Sequence, residues 1–168
     1  MGKKEDYLAA IHENRDLILK VASLYTNSKE DRNDLVQEIR FQVWKSFDSF
    51  QQKSTLRTWM YRIAMNVSIY HLKKSKRRIH AVPLDEELNR FHSNDDDGYE
   101  KKWQWLKNKI SQLNLLEKGI ILLYLENRSY EEIAQIIGLS PSNVGTRLSR
   151  IKEKLRTQIQ NHPDHGLE

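Results

Sequence analysis

Ser129-Tyr-Glu-Glu-Ile-Ala-Gln-Ile-Ile-Gly138, continued by Leu139-Ser-Pro-Ser-Asn-Val-Gly-Thr-Arg-Leu-Ser-Arg150, carries the densest local signals in the chain. Ser129 and Glu132 have the spacing of a capping box, in which hydroxyl and carboxylate each satisfy a free amide at a helix start. Ile133, Ile136 and Ile137 fall on one face of the helix that follows. Gly138 can stop it, because glycine enters the left-handed conformation without a Cβ clash. Ser140-Pro141 then opens a second helix, with the cap first and proline where its missing N–H is no loss. Val144, Leu148, Ile151 and Leu155 continue as a core seam. Two helices around Gly-Leu-Ser, the second longer and basic, predict a helix-turn-helix. Its outward Ser142, Asn143, Thr146, Arg147 and Arg150 offer donors and acceptors suited to major-groove base edges and phosphates. A plain hairpin in a helical bundle would share the caps and the turn; the basic outer face favours the DNA-reading alternative.

Upstream, Asn114 and Glu117 mark another helix start before Ile120, Leu123 and Tyr124, and Trp103, Leu106, Ile110 and Leu113 form an earlier stripe. The N-terminal half is helical by the same periodicity. Tyr7 to Leu24 holds Leu8, Ile11, Leu17, Ile18, Val21 and Leu24 and predicts one amphipathic helix. From Asp31 to Phe47, Leu35, Ile39, Val43 and Phe47 recur four apart, with Ser28 and Asp31 as the start signal. Ser54 or Thr55 can cap a third helix, in which Leu56, Met60, Ile63, Val67 and Tyr70 recur. Trp59 is expected in the core, while Tyr61 is open between core and surface. With six Gly, three Pro and no sustained apolar–polar alternation, the expected fold is all-α.

Charge divides the chain further. The formal net charge of +5 comes from 28 Lys+Arg against 23 Asp+Glu, and it favours a polyanionic partner. From Ser49 to Leu84 no acidic residue occurs, yet Lys53, Arg57, Arg62, Lys73, Lys74, Lys76, Arg77 and Arg78 do. Asp85 to Glu100 is acidic, and Arg147 to Arg156 is basic again. Solvated surfaces ordinarily intersperse the two signs. The acidic stretch holds too few large apolar residues to offset its ordering entropy. The organisation expected is therefore a helical bundle over 1–80, a flexible acidic linker over 81–98, a helix-turn-helix domain over 99–160 and a disordered tail over 161–168.

Several classes are excluded. No Cys means no disulfide framework, thiolate metal site or cysteine nucleophile. The six His show no metal-hydrolase spacing, so neither metal nor cofactor is expected. No apolar run approaches the ~20 residues of a membrane helix, so no membrane insertion is expected. Charges in Met1–Asn14 stand where a signal peptide's apolar core would be. A cytoplasmic location is expected.

Asp34-Leu-Val-Gln-Glu38 with Phe41, Trp44 and Phe47-Asp-Ser-Phe50; Thr58-Trp-Met-Tyr-Arg-Ile-Ala-Met-Asn66; Leu72-Lys-Lys-Ser-Lys-Arg-Arg78; Leu125 to Ala134; and Ser142 to Arg150 occur in that order. Together they resemble an extracytoplasmic-function (ECF, group 4) sigma factor of the bacterial sigma-70 family, over roughly Tyr7 to Arg156. The resemblance implies that the first lobe is sigma region two, docking on the clamp helices of the largest RNA polymerase subunit and opening the −10 promoter element. It places the polymerase contact at Asp34, Gln37 and Glu38, which otherwise read as a solvated acidic face. Arg62, Asn66, Ile69 or Tyr70, and Lys73 recur at three and four on a face away from Met60 and Ile63, a row suited to single-stranded bases and phosphates. Asn66 matches the family's base-contacting Asn; a base flipped towards it would sit against the loop Gln51 to Thr55, and Lys53, Ser54, Thr55 and Arg57 are expected among the −10 contacts. Lys73, Lys74, Arg77 and Arg78 are expected on duplex phosphates just upstream.

The second lobe resembles region four, which reads the −35 element with Ser142, Asn143, Thr146, Arg147 and Arg150 and touches the flap of the second large subunit. An anti-sigma factor clasping both lobes is a further expected partner. Two departures stand out. Gly145 occupies an outward position where the family commonly has Lys or Arg, and mid-helix Gly costs up to about 1 kcal/mol against Ala. Ile69 replaces an often polar residue. Two other classes compete with this reading. A conventional helix-turn-helix repressor or activator would leave the acid-free block around Asn66 unexplained. A nucleic-acid enzyme would need carboxylates clustered in a fold, and the densest run is Asp95-Asp96-Asp97 in the expected linker. The chain is expected to do no chemistry itself.

Overall fold

The computed structural model describes residues 2–78 and 97–161. The expected linker from 81 to 96 and the tail from 162 lie outside them. Among the described residues all regular structure is helical, and the chain divides into two compact units.

The first unit contains α1 (Lys3–Glu13), α2 (Arg15–Tyr25), α3 (Lys29–Ser46), a short 3-10 turn at Phe47–Ser49, and α4 (Leu56–Arg78). The single helix expected from Tyr7 to Leu24 is thus two. Asn14 separates them: its side-chain amide donates to the Ala10 carbonyl at 2.8 Å and its carbonyl accepts from Arg57 at 3.2 Å. A short amide side chain competes with helical backbone bonding in this way. Leu8, expected in the core, is 47% exposed, whereas Ala10 and Ile11 are buried. Thr26 ends α2 by donating to the Ala22 carbonyl, and the Ser28 hydroxyl starts α3 by accepting from the Asp31 amide at 3.1 Å.

The core of this unit lies between α2, α3 and α4, where Leu17, Val21, Leu35, Ile39, Val43, Met60 and Ala64 have no exposure. Full burial of one such Leu, Ile or Met side chain contributes about 1.5–3 kcal/mol. Tyr25 is buried with them, and burial pushes its phenol pKa up. One end of the bundle is closed by edge-on aromatic pairs, Tyr7 with Trp44 at 5.1 Å, Tyr7 with Phe47 and Phe47 with Trp59, and by Phe50 tilted on Trp59 at 5.1 Å. Trp59 therefore packs as expected, and Tyr61 is fully buried. Of the two candidate caps for α4, Thr55 performs the function, its hydroxyl accepting from the Thr58 amide at 3.1 Å.

The second unit contains α5 (Asp97–Ile110), α6 (Leu115–Leu125), α7 (Tyr130–Ile137) and α8 (Pro141–Asn161). Helix α5 begins at Asp97, inside the stretch expected as linker. Both capping boxes form: Asn114 with Glu117, and Ser129 with Glu132. Gly138 stops α7 at φ 85°, its N–H bonding to the Ala134 carbonyl at 2.8 Å. Helix α6 ends in the same way without glycine. Asn127 has φ 60°, and the Arg128 amide reaches back to the Leu123 carbonyl at 3.0 Å. Asn tolerates this conformation better than most residues. Ile120, Leu123, Ile133, Val144, Leu148 and Ile151 fill the core with no exposure. Leu155, the last member of the expected seam, is half-buried.

Candidate nucleic-acid interface

Helix α4 carries the first candidate surface. With Met60, Tyr61, Ala64 and Met65 turned into the core, the opposite face presents Arg62, Asn66, Tyr70, Lys73 and Lys74, all exposed. Tyr70 is 69% exposed and so belongs to this row, not to the apolar stripe in which the periodicity also placed it. Ile69 is half-buried beside it. The row joins three flexible cations, an amide and an aromatic ring, a combination that stacks bases and holds phosphates without a rigid pocket. The preceding loop adds exposed Lys53 and Thr55 and half-buried Ser54, with Gln52 at φ 56° turning the chain. Arg77 and Arg78 close α4, but their side chains lie outside those described.

Arg57 is placed differently from expectation. Its guanidinium grips Asp16 through both nitrogens, at 3.2 and 2.8 Å, bonds Asn14, and lies 5.5 Å over the Tyr61 ring. The hydrogen bond from Arg57 holds the Asp16 carboxyl below its usual range, and the same bond raises the Arg57 pKa. Arg57 ties the start of α4 to the α1–α2 junction. Its residence in a block free of acidic residues gave no sign of a partner forty-one positions away.

On α3, Asp34, Gln37 and Glu38 are all exposed, as the Leu35/Ile39 stripe requires. Phe41 shares their face and is 64% exposed. Its signal was legible: an aromatic residue out of register with Leu35, Ile39 and Val43. Glu38 also lies 3.3 Å from His71 of α4, at the seam between the two helices.

In α8, Ser142, Asn143, Thr146 and Arg150 are exposed and Arg147 is half-buried. They are not independent. Arg147 Nε donates to the Asn143 side-chain carbonyl at 3.0 Å, and the Thr146 hydroxyl donates to the Ser142 backbone carbonyl at 3.1 Å. Such contacts fix side chains before a partner arrives, lowering the ordering cost of binding. Ser140 caps the helix through the Asn143 amide at 3.2 Å. Behind this face Lys154 donates to Glu117 at 2.7 Å. Burial acts to raise the Glu117 pKa, but the Lys154 bond, the Asn114 amide and the charges of Lys154 and Arg147 outweigh it and hold the carboxyl below its ordinary value. Lys152 donates to the Tyr124 hydroxyl at 3.0 Å, which raises the Lys152 pKa. Among the described residues no group of three or more His, Asp or Glu is arranged to hold a metal ion, and no helix is long and apolar enough to cross a membrane.

Two separate helical units with such faces define a class of bipartite DNA readers. The first unit matches the family model for sigma-70 region 2 over residues 10–78, and the second matches sigma-70 region 4 over residues 103–155. The ECF RNA polymerase sigma-E factor of Haemophilus influenzae is 32% identical over 157 residues, covering 84% of this chain and 82% of that one. RNA polymerase sigma factor SigV of Bacillus subtilis is 28% identical over 154 residues, covering 90% of each. In fold, the chain is similar to CnrH, solved with the cytosolic domain of CnrY, at a TM-score of 0.68 and 18% identity over 94% of this chain and 90% of that one. It is also similar to the sigma factor RpoE of Bartonella quintana, solved with the anti-sigma factor NepR, at a TM-score of 0.66 and 22% identity over 94% and 96%. The chain belongs to the ECF sigma factors of the sigma-70 family: it is an alternative sigma factor, a DNA-binding initiation factor that binds core RNA polymerase and directs it to promoters.

Proposed function

We propose that α4 and its preceding loop open and hold the −10 element, that α8 reads the −35 element, and that the outer face of α3 docks on the polymerase clamp helices. The observation that carries this is the exposed row Arg62, Asn66, Tyr70 and Lys73 on a helix whose other side is core. In that row Asn66 pairs with the edge of a flipped base, Tyr70 stacks, and the cations hold phosphates. Lys53, Ser54 and Thr55 form the wall the base meets, and Lys74, Arg77 and Arg78 follow the upstream duplex. Arg57 drops from the direct contacts and takes a positioning role through Asp16. Phe41 joins Asp34, Gln37 and Glu38 as the apolar centre of the polymerase contact, an exposed aromatic with charged neighbours being the usual anatomy of an interface anchor.

The lobes act as domains 1–80 and 99–160, tethered by the acidic segment 81–98, with 161–168 as tail. The second lobe also touches the polymerase flap. Catalysis belongs to the polymerase; the chain is not an enzyme, needs no cofactor, and works in the cytoplasm. The two fold neighbours named above each carry a bound second protein, the cytosolic domain of CnrY in one and the anti-sigma factor NepR in the other, which supports an anti-sigma partner here too. The test is Asn66→Ala, measured separately for core binding and open-complex formation. Core affinity within twofold of wild type, with open complexes reduced about tenfold, is the expected result, since a good base contact is worth about 1–3 kcal/mol. Equal loss of both would assign Asn66 to folding instead.

A further inference from the structure

We propose that Asn143 and Arg147 form one reading unit, Asn143 meeting the base and Arg147 positioning it, and that the unit selects guanine against adenine; this rests on α8 being the −35 reader. Arg147 Nε donates to Asn143 Oδ1 at 3.0 Å, across one turn of the helix. A guanidinium carries only donors and stays charged. The amide oxygen of Asn143 must therefore face Arg147, which leaves its NH2 group as the part offered to a partner. An asparagine without such a neighbour has its usual major-groove partner in adenine, whose N7 takes the NH2 and whose N6 amino group gives to the oxygen. Here that oxygen already receives a hydrogen bond from a cation. An adenine amino group would have to share it, two donors converging on one oxygen beside a full positive charge. Guanine brings two acceptors, N7 and O6, to the same place. The NH2 group meets one of them, and the positive charge favours both.

The placement of the pair fits this division of labour. Asn143 is exposed and is the third residue of α8, and the N-terminal residues of a recognition helix are those that reach base edges. Its backbone amide is fixed by the Ser140 hydroxyl at 3.2 Å. Arg147 lies a turn further along and is half-buried. Burial acts to raise the Glu117 pKa, and the charge of Arg147 is among the influences that outweigh it, so the guanidinium also feels a carboxylate of α6. Glu117 is in turn bonded to Lys154 at 2.7 Å and belongs to the Asn114 capping box. A guanidinium held by an amide oxygen and a nearby carboxylate is ordered before DNA arrives, and it orders Asn143 with it. Thr146, the next outward residue, has the opposite polarity. Its hydroxyl proton goes to the Ser142 carbonyl at 3.1 Å, which leaves lone pairs and a methyl group facing out. The donor-only edge is therefore local to the base that Asn143 meets.

The test uses holoenzyme reconstituted from core polymerase and the full chain, with duplexes selected from a pool randomised across the −35 region. For the wild type, one position is expected to take guanine over adenine by about tenfold. Asn143→Ala should remove that preference at that position alone. Arg147→Met, which keeps the aliphatic stem and frees the amide oxygen, should move the preference at the same position to adenine, a switch that a merely structural role would not produce. Asn143→Asp keeps the bond to Arg147 but turns an acceptor outward, and it should exchange guanine for a base with an amino group in the groove, adenine or cytosine. Asn143 is exposed, so this variant decides the matter by itself if Arg147→Met does not fold. Three results would each overturn the inference: adenine selected by the wild type at the position that Asn143→Ala alters, Arg147→Met weakened equally on every sequence with the guanine preference intact, or Asn143→Asp with the wild-type preference. Thr146→Ala and Arg150→Ala in the same selection separate the two levels. If these and Asn143→Ala all leave the selected sequence unaltered, α8 is not the −35 reader; if either alters it while Asn143→Ala does not, only the role given to Asn143 and Arg147 fails.

Discussion

Asp16 and Glu117 make the same physical point at opposite ends of the chain: a carboxylate holds a helix start through a cation from a distant helix. Their pKa values are depressed in the fold. Each therefore adds stability above its unfolded pKa, and that contribution disappears as pH falls through the lower folded value. Glu117→Gln keeps the shape and the capping carbonyl but loses the charge that Lys154 meets. It should cost about 0.5–1 kcal/mol at pH 7, with the difference from wild type starting to shrink near pH 4.5 and vanishing below it. Urea unfolding across that pH range measures this, and a difference that persists unchanged into acid would assign the loss to packing. Asp16→Asn should behave alike with a smaller effect, about 0.5 kcal/mol, because Asp16 is half-exposed and solvent screens the pair. At this scale the sequence told less than at any other. Asn66, Lys73 and Thr146 were legible as outward residues from periodicity alone. The partnership of Arg57 with Asp16 was not, because it depends on where Asn14 breaks a helix.

Helix ends were legible wherever a side chain caps the helix it belongs to. Ser129 with Glu132, Asn114 with Glu117, Gly138 and Ser140-Pro141 all do what their spacing implied. Ends made by less specific residues were missed: Asn14 between α1 and α2, and Asn127 after α6. Asparagine can cap, interrupt or sit on a helix surface, and only the surrounding fold selects among these. Gly138 permits a clean measurement, since a Cβ there would meet nothing within 4 Å while its φ is 85°. Gly138→Ala should therefore cost about 1 kcal/mol, through backbone strain alone. Gly138→Asn should cost clearly less, because Asn visits the left-handed region more readily. Equal losses on thermal unfolding would place the cost outside the backbone. Gly145→Ala runs the other way: the added methyl meets Tyr130 at 3.4 Å, ordinary contact, and removing mid-helix glycine should gain up to about 1 kcal/mol. A lowered midpoint would mean that the ring cannot share the space.

For the whole molecule, charge segregation was the most informative feature of the sequence, because it separates two basic readers from an acidic α3 face and an acidic connecting segment. On the proposed reading, each lobe alone binds DNA weakly. Held by polymerase at a fixed separation, the second contact becomes intramolecular, and affinity rises without any new interaction. Phosphate contacts in such an assembly are salt-sensitive, so Lys73→Ala with Lys74→Ala should lower the salt dependence of promoter binding by about 1.6 in the log–log slope, one single-strand and one duplex contact. An unchanged slope would remove both lysines from the phosphate backbone. The most direct measurement is transcription from a promoter library by core polymerase free of other sigma factors, with and without this chain, alongside duplex binding by the chain alone. Initiation at a shared two-part sequence only when chain and core are together, with weak binding by the chain alone, is the outcome expected of two tethered readers spaced by the enzyme. Tight binding to intact duplex without core, or no initiation when both are present, would contradict it.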